Sequence, residues 1–145
     1  MKIRLLIISW IGLGLLISRV SAQTATLTSE QTALAPSGGQ VVLTATADYA
    51  GLRPAALGWV ITLPSGWALV AVGGDAPTIA PPVGTTGEVE FAYLNFPAKR
   101  AQFTVTLSYP ASGVAPVLRA ACTYRSPLKT IAIDNIIYTI SPAAR

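Results

Sequence analysis

The chain has 145 residues, 52% of them hydrophobic and 11% charged, with a formal net charge of +4, one cysteine and no histidine. The missing histidine excludes a Ser-His-Asp triad, a His-ligated zinc site and a histidine general base. A single cysteine excludes an intrachain disulfide framework.

The first segment, MKIRLLIISWIGLGLLISRVSA, has the order of a secretory signal peptide. Lys2 and Arg4 form its basic start. The apolar run Leu5 to Ile17 is shorter than the roughly 20 residues that a helix needs to span a bilayer core. Val20-Ser21-Ala22 places small residues where a signal peptidase reads, so cleavage is expected after Ala22. Residues 1–22 are therefore expected to be a signal peptide and 23–145 one domain, large enough to bury a core without disulfide staples. Lys2, Arg4 and Arg19 would leave with the signal, and seven basic residues would face six acidic ones. So nearly neutral a domain shows no basic footprint for nucleic acid. The expected localisation is secreted or cell-surface, extracellular or periplasmic, with membrane contact only through the signal peptide if it stays uncleaved.

Beyond residue 23, short runs of Val, Ile, Thr, Tyr and Phe recur between Gly and Pro clusters, and no stretch holds a 3.6-residue apolar period. Strands are expected near 24–31, 40–48, 56–63, 67–73, 86–95, 100–109, 117–125 and 131–141. In AQFTVTLSY, Ala101, Phe103, Val105, Leu107 and Tyr109 alternate with polar residues, the mark of an antiparallel strand with one wet face. The same parity puts Val89, Phe91 and Tyr93 inside and Glu88 and Glu90 outside. It also puts Leu118, Ala120, Cys122 and Tyr124 inside, so Cys122 is expected to be a small buried hydrophobe. Arg119 and Arg125 face outward and would meet Glu88 and Glu90 if their strands are near neighbours. The last run, TIAIDNIIYTIS, is interrupted at Asp134-Asn135 by either a hairpin turn or a bulge. These features predict an all-β, antiparallel two-sheet sandwich of immunoglobulin type with seven to nine strands.

Two tryptophans flank the turn in LGWVITLPSGWALV. Trp59 shares its strand face with Leu57 and Ile61 and reads as core. Both faces of WALVAV are apolar, so parity leaves Trp67 open between core and surface.

The stretch LGWVITLPSGWALVAVGG, with TTGEVEFAY and AQFTVTLSYPA, resembles two families of bacterial extracellular sandwiches. One is the conserved-repeat domain of surface proteins with an LPxG-type turn, matched here by Leu63-Pro64-Ser65-Gly66. The other is the cohesin-like group, whose pattern is similar to Gly58 to Leu63, Trp67 to Gly74 and Gly87 to Phe91. Both resemblances imply secreted, non-catalytic spacers, adhesive units or docking modules.

No catalytic residue, cofactor site or metal site is expected. Glu88 and Glu90 on a wet face read as solubilising charges, and the remaining acids are scattered without calcium-loop spacing. The expected partner is an extracellular protein. The alternative is a polysaccharide stacked on exposed rings, for which Trp67, Tyr49 and Tyr138 are the candidate residues.

Overall fold

The structure is a computed structural model that describes residues 23–49, 54–95, 97, 99–126 and 130–142; the expected signal segment 1–22 lies outside the described residues. Its elements are β1 (Thr24–Ser29), β2 (Ala33–Leu34), β3 (Gly39–Asp48), β4 (Ala56–Thr62), β5 (Ala68–Gly74), β6 (Glu88–Tyr93), β7 (Arg100–Tyr109), β8 (Val117–Arg125), β9 (Thr130–Thr139) and β10 (Ser141–Pro142). The eight longer strands stand where alternation predicts them. The two short ones arise where expected strands break, after Ser29 and at Ile140.

One sheet has the order β1-β3-β7-β5 and the other β6-β4-β8-β9, all neighbours antiparallel, while β2 and β10 form a separate parallel pair. This is the two-sheet sandwich that the alternating pattern requires, because each sheet has one apolar face to bury. Strand β3 shows the period directly: Val41, Leu43, Ala45 and Ala47 are buried while Gln40, Val42 and Asp48 are exposed.

The centre of the core is aromatic. Phe103 lies 5.0 Å from Phe91, 5.9 Å from Tyr93 and 6.0 Å from Trp59 between ring centroids, the last pair edge-to-face at 81°. Such geometry suits the ring quadrupoles. Trp59 is buried as expected, in register with Cys122 on β8, which is also fully buried. The indole Nε1 of Trp59 has no hydrogen-bond partner among the described residues.

The segment 75–87, which the sequence presents as two separate turn clusters, runs along the flank formed by β5 and β6. Leu69 N–H donates to the Thr85 carbonyl (2.9 Å), Gly84 N–H to the Leu69 carbonyl (2.7 Å) and Leu63 N–H to the Gly87 carbonyl (2.7 Å). Ile79 and Ala92 exchange a pair of backbone bonds, each 2.9 Å. Gly84 makes its contact at φ 88°, a left-handed conformation that favours glycine. At the root of the segment, the Tyr93 hydroxyl donates to the Asp75 carbonyl and Gln102 N–H donates to Asp75 Oδ2 at 3.3 Å.

Two local expectations are decided by register. Asp134-Asn135 is not a hairpin: β9 runs straight through, with a bulge that makes Ile133 the extra residue opposite Cys122 and Thr123. The pairing of Glu88 and Glu90 with Arg119 and Arg125 is corrected, because β4 lies between β6 and β8. Thr62 separates Glu88 from Arg119 in one cross-sheet row, and two strand spacings amount to about 10 Å.

Candidate functional site

The turn that opens the β4–β5 connection builds one wall of a cavity at an end of the sandwich. Leu63 is buried, Pro64 fixes the descent, and Trp67 N–H donates back to the Pro64 carbonyl at 3.1 Å. Gly66 takes φ 81°, and a Cβ there would come within 3.1 Å of Pro110 Cγ, so the turn can press against the β7–β8 connection only because this residue is glycine. The reversal thus delivers Trp67 onto Tyr109, with ring centroids 5.3 Å apart and planes tilted by 32°. The Tyr109 hydroxyl accepts the Ala35 N–H at 3.0 Å, which ties the β2–β3 connection to the same end.

Between these elements lies a cavity of about 210 Å³ whose floor and walls include Leu34, Pro64, Trp67, Tyr109, Pro110 and Val114. None of the described residues that line it is Asp, Glu, Lys or Arg. Ser112 is occupied within its own loop: its hydroxyl accepts the Val114 N–H at 3.1 Å and donates to the Val114 carbonyl at 3.3 Å. An apolar, proline-rimmed hollow of this kind can seat an apolar or proline-bearing side chain through contact area. Among the described residues, none lines it that could serve as the adjacent base a hydroxyl nucleophile needs.

The three aromatic candidates do not come together. Trp67 is 4% exposed and Tyr49 2% exposed. Neither ring therefore presents the exposed stacking face that the polysaccharide reading requires, and the question left open for Trp67 is decided in favour of the core. The reason is packing. Trp67 is clamped between its own turn and Tyr109, and Tyr49 follows β3 at its far end, thirty-odd ångströms of strand from the Trp67 side by the usual rise of about 3.4 Å per residue. Tyr138 is half-buried on β9, packed against the core and opposite Leu118. Burial pushes the Tyr49 hydroxyl up to about 12, with Asp75, then Asp48, then Cys122 adding to the effect. Burial also raises Tyr93, followed by Asp75 and Tyr49. Both phenols stay protonated at neutral pH.

Sequence reasoning did not single out Tyr109, the residue that joins Trp67 to the β2–β3 connection. Its signal was present, since it ends a buried parity series immediately before Pro110.

No protein-family model matches the sequence, and no curated protein does. Among solved structures, the chain is similar to the major pilin subunit of Bacillus cereus, at 9% identity and TM-score 0.60, covering 83% of this chain and 40% of that one. It is also similar to the 35 kDa C-terminal fragment of the major pilin of Streptococcus agalactiae, at 8% identity and TM-score 0.51, covering 81% of this chain and 53% of that one. The chain thus spans about half or less of those proteins. At such identities the likeness is one of fold, and it singles out neither the LPxG-type repeat family nor the cohesin-like group.

Proposed function

We propose that the chain is a non-catalytic structural or adhesion-type module of the bacterial surface or extracellular space, and that it engages an extracellular protein through the cavity beside Trp67 and Tyr109. The observation that supports this reading is a cavity of about 210 Å³, with no charged side chain among its described lining residues, framed by three connections at one end of a sandwich similar in fold to part of two pilin subunits. Contact with an apolar or proline-bearing segment needs area and shape more than charge. The signal-like segment 1–22 supports export.

The test combines location with binding. Fractionation and surface labelling of the producing cells should place the chain outside the cytoplasm. Immobilised chain should retain a protein from the extracellular fraction, and Val114→Asp should abolish that retention while leaving thermal stability unchanged, because Val114 is 75% exposed. A cytoplasmic location would sink the surface reading. Retention unchanged by Val114→Asp would move the binding site elsewhere, and equal binding of soluble polysaccharides by both proteins would favour the polysaccharide alternative.

A further inference from the structure

The outward face of the β6-β4-β8-β9 sheet carries charge in two separate files. Glu88 and Glu90 stand on β6 and Arg119 and Arg125 on β8, and all four are exposed. Between the files lies β4, whose outward Gly58, Val60 and Thr62 are uncharged and half-buried. Two shallow hollows that share Val60 follow this middle strand, one lined by Glu88 and Arg119 and the other by Glu90 and Ile79. The files are two strand spacings apart, about 10 Å at the backbone. The face is thus acidic along one side, basic along the other and uncharged along its middle.

Such a face can be laid on a copy of itself about a two-fold axis in two principal ways. With the axis across the strands, β6 covers β6 and β8 covers β8, which sets glutamate against glutamate and arginine against arginine, a costly arrangement. With the axis along β4, each β6 covers the β8 of the second copy. That rotation keeps positions along the strands, and Glu88, Thr62 and Arg119 occupy one cross-sheet row. Glu88 therefore stands over Arg119 of the second copy, and Arg119 over that copy's Glu88. In the row of Glu90, Val60 and Ala121, the long glutamate side chain lies over the small Ala121 and Val60 lies over Val60 on the axis. A third row runs Ile79, Ala92, Gly58, Thr123, Ala132, and it brings Ile79, 54% exposed in the single chain, over Ala132 of the second copy. The angle of about 30° at which aligned sheets pack moves a neighbouring strand by less than one residue rise, within reach of both Glu88 and Arg119.

We propose that this face is a homodimer interface, in which two copies pack sheet on sheet about a two-fold axis along β4 and are joined by two reciprocal Glu88–Arg119 pairs. Charge complementarity selects the occupant, since a second copy presents a basic file where this face is acidic and an acidic file where it is basic. Four strands of about seven residues give a face of roughly 450 Å² per copy, so the pair covers about 900 Å², the low end for a specific contact. The dimer is accordingly weak.

Light scattering of the purified chain from about 1 µM to 1 mM should follow a monomer–dimer equilibrium with a micromolar dissociation constant, weakened by added salt. Glu88→Arg and Arg119→Glu should each raise that constant at least roughly tenfold by setting like charges together. Their thermal midpoints should stay unchanged, because both positions are exposed. The decisive step is to mix the two variants. One then carries arginine at both positions and the other glutamate at both, so both pairs are complementary and a heterodimer should form at least as tightly as the original dimer. A chain that stays monomeric to about 1 mM, a dimer indifferent to either substitution, a dimer tightened by either, or variants that fail to associate on mixing would each overturn the proposal.

Discussion

The two flanks of the sandwich handle their strand edges differently. On one, the 75–87 segment bonds to Leu63, Leu69 and Ala92 and occupies backbone groups along β5 and β6. On the other, β1 and β9 lie side by side, and among the described residues no strand ladder is shared between them. The closed flank uses a proline-rich stretch with left-handed glycines at 84 and 87, a composition suited to lying along an edge without forming a strand of its own. On the second flank, β9 is a run of β-formers interrupted by Asp134-Asn135. On the first flank the edges are closed by a loop that reaches back along them; on the second the two edge strands lie against each other.

The sharpest way to break the contrast is to remove the core beneath the closed flank. Phe103→Ala takes away the ring shared by Trp59, Phe91 and Tyr93 and should lower the unfolding free energy by about 3–5 kcal/mol in chemical denaturation. Next comes the bond that roots the covering segment. Tyr93→Phe leaves the Asp75 carbonyl without its phenolic donor, and a loss of about 1–3 kcal/mol is expected. Faster hydrogen exchange at the Leu69, Ile79 and Ala92 amides should accompany that loss, with exchange in β9 unchanged. Alkaline titration probes the same region more gently. An unfolded tyrosine titrates near 10, whereas folding holds Tyr49 up to about 12 and raises Tyr93 as well. The folded state keeps these protons more tightly, so the stabilisation is complete below about pH 10 and is lost as the pH climbs towards 12. Denaturation midpoints measured across that window should fall, and they should be flat from pH 7 to 9. The smallest effect belongs to the β1–β9 flank: Ile137→Thr should change stability by no more than about 0.5 kcal/mol, as for an exposed site.

Much of the sandwich was legible because alternation is a local signal. The burial of Val89, Phe91 and Tyr93, of the inner residues of β7 and β8, and of Trp59 follows from parity alone. What parity could not supply was the order of strands. The interposition of β4 between the glutamates of β6 and the arginines of β8 is a property of the long-range pairing, and no local pattern encodes it. The 75–87 segment looked like turns because its prolines and glycines describe local backbone and not the distant edge that the segment covers. The candidate site was half visible. LPSG marked the turn, but the burial of Trp67 depends on Tyr109, more than forty residues away in sequence, and on a glycine that lets the two connections approach. Tyr49 failed as an exposed ring for a related reason: it sits just past the last alternating residue of β3, where the strand pattern says nothing about what covers it.

The first and last long strands, β1 and β9, carry a mechanical consequence. Gln23 lies beside Tyr49 and Tyr124 at one end of the sandwich, and Pro142 lines the cavity at the other. Tension applied between these points runs along the strands, pulling β1 lengthwise past β3 and β9 lengthwise past β8. In that direction the ladder bonds of each pair are loaded together, in shear, whereas a pull across the strands would part them one after another like a zip. Stretching along this line is resisted by the whole length of these ladders, six paired positions for β1 and nine for β9.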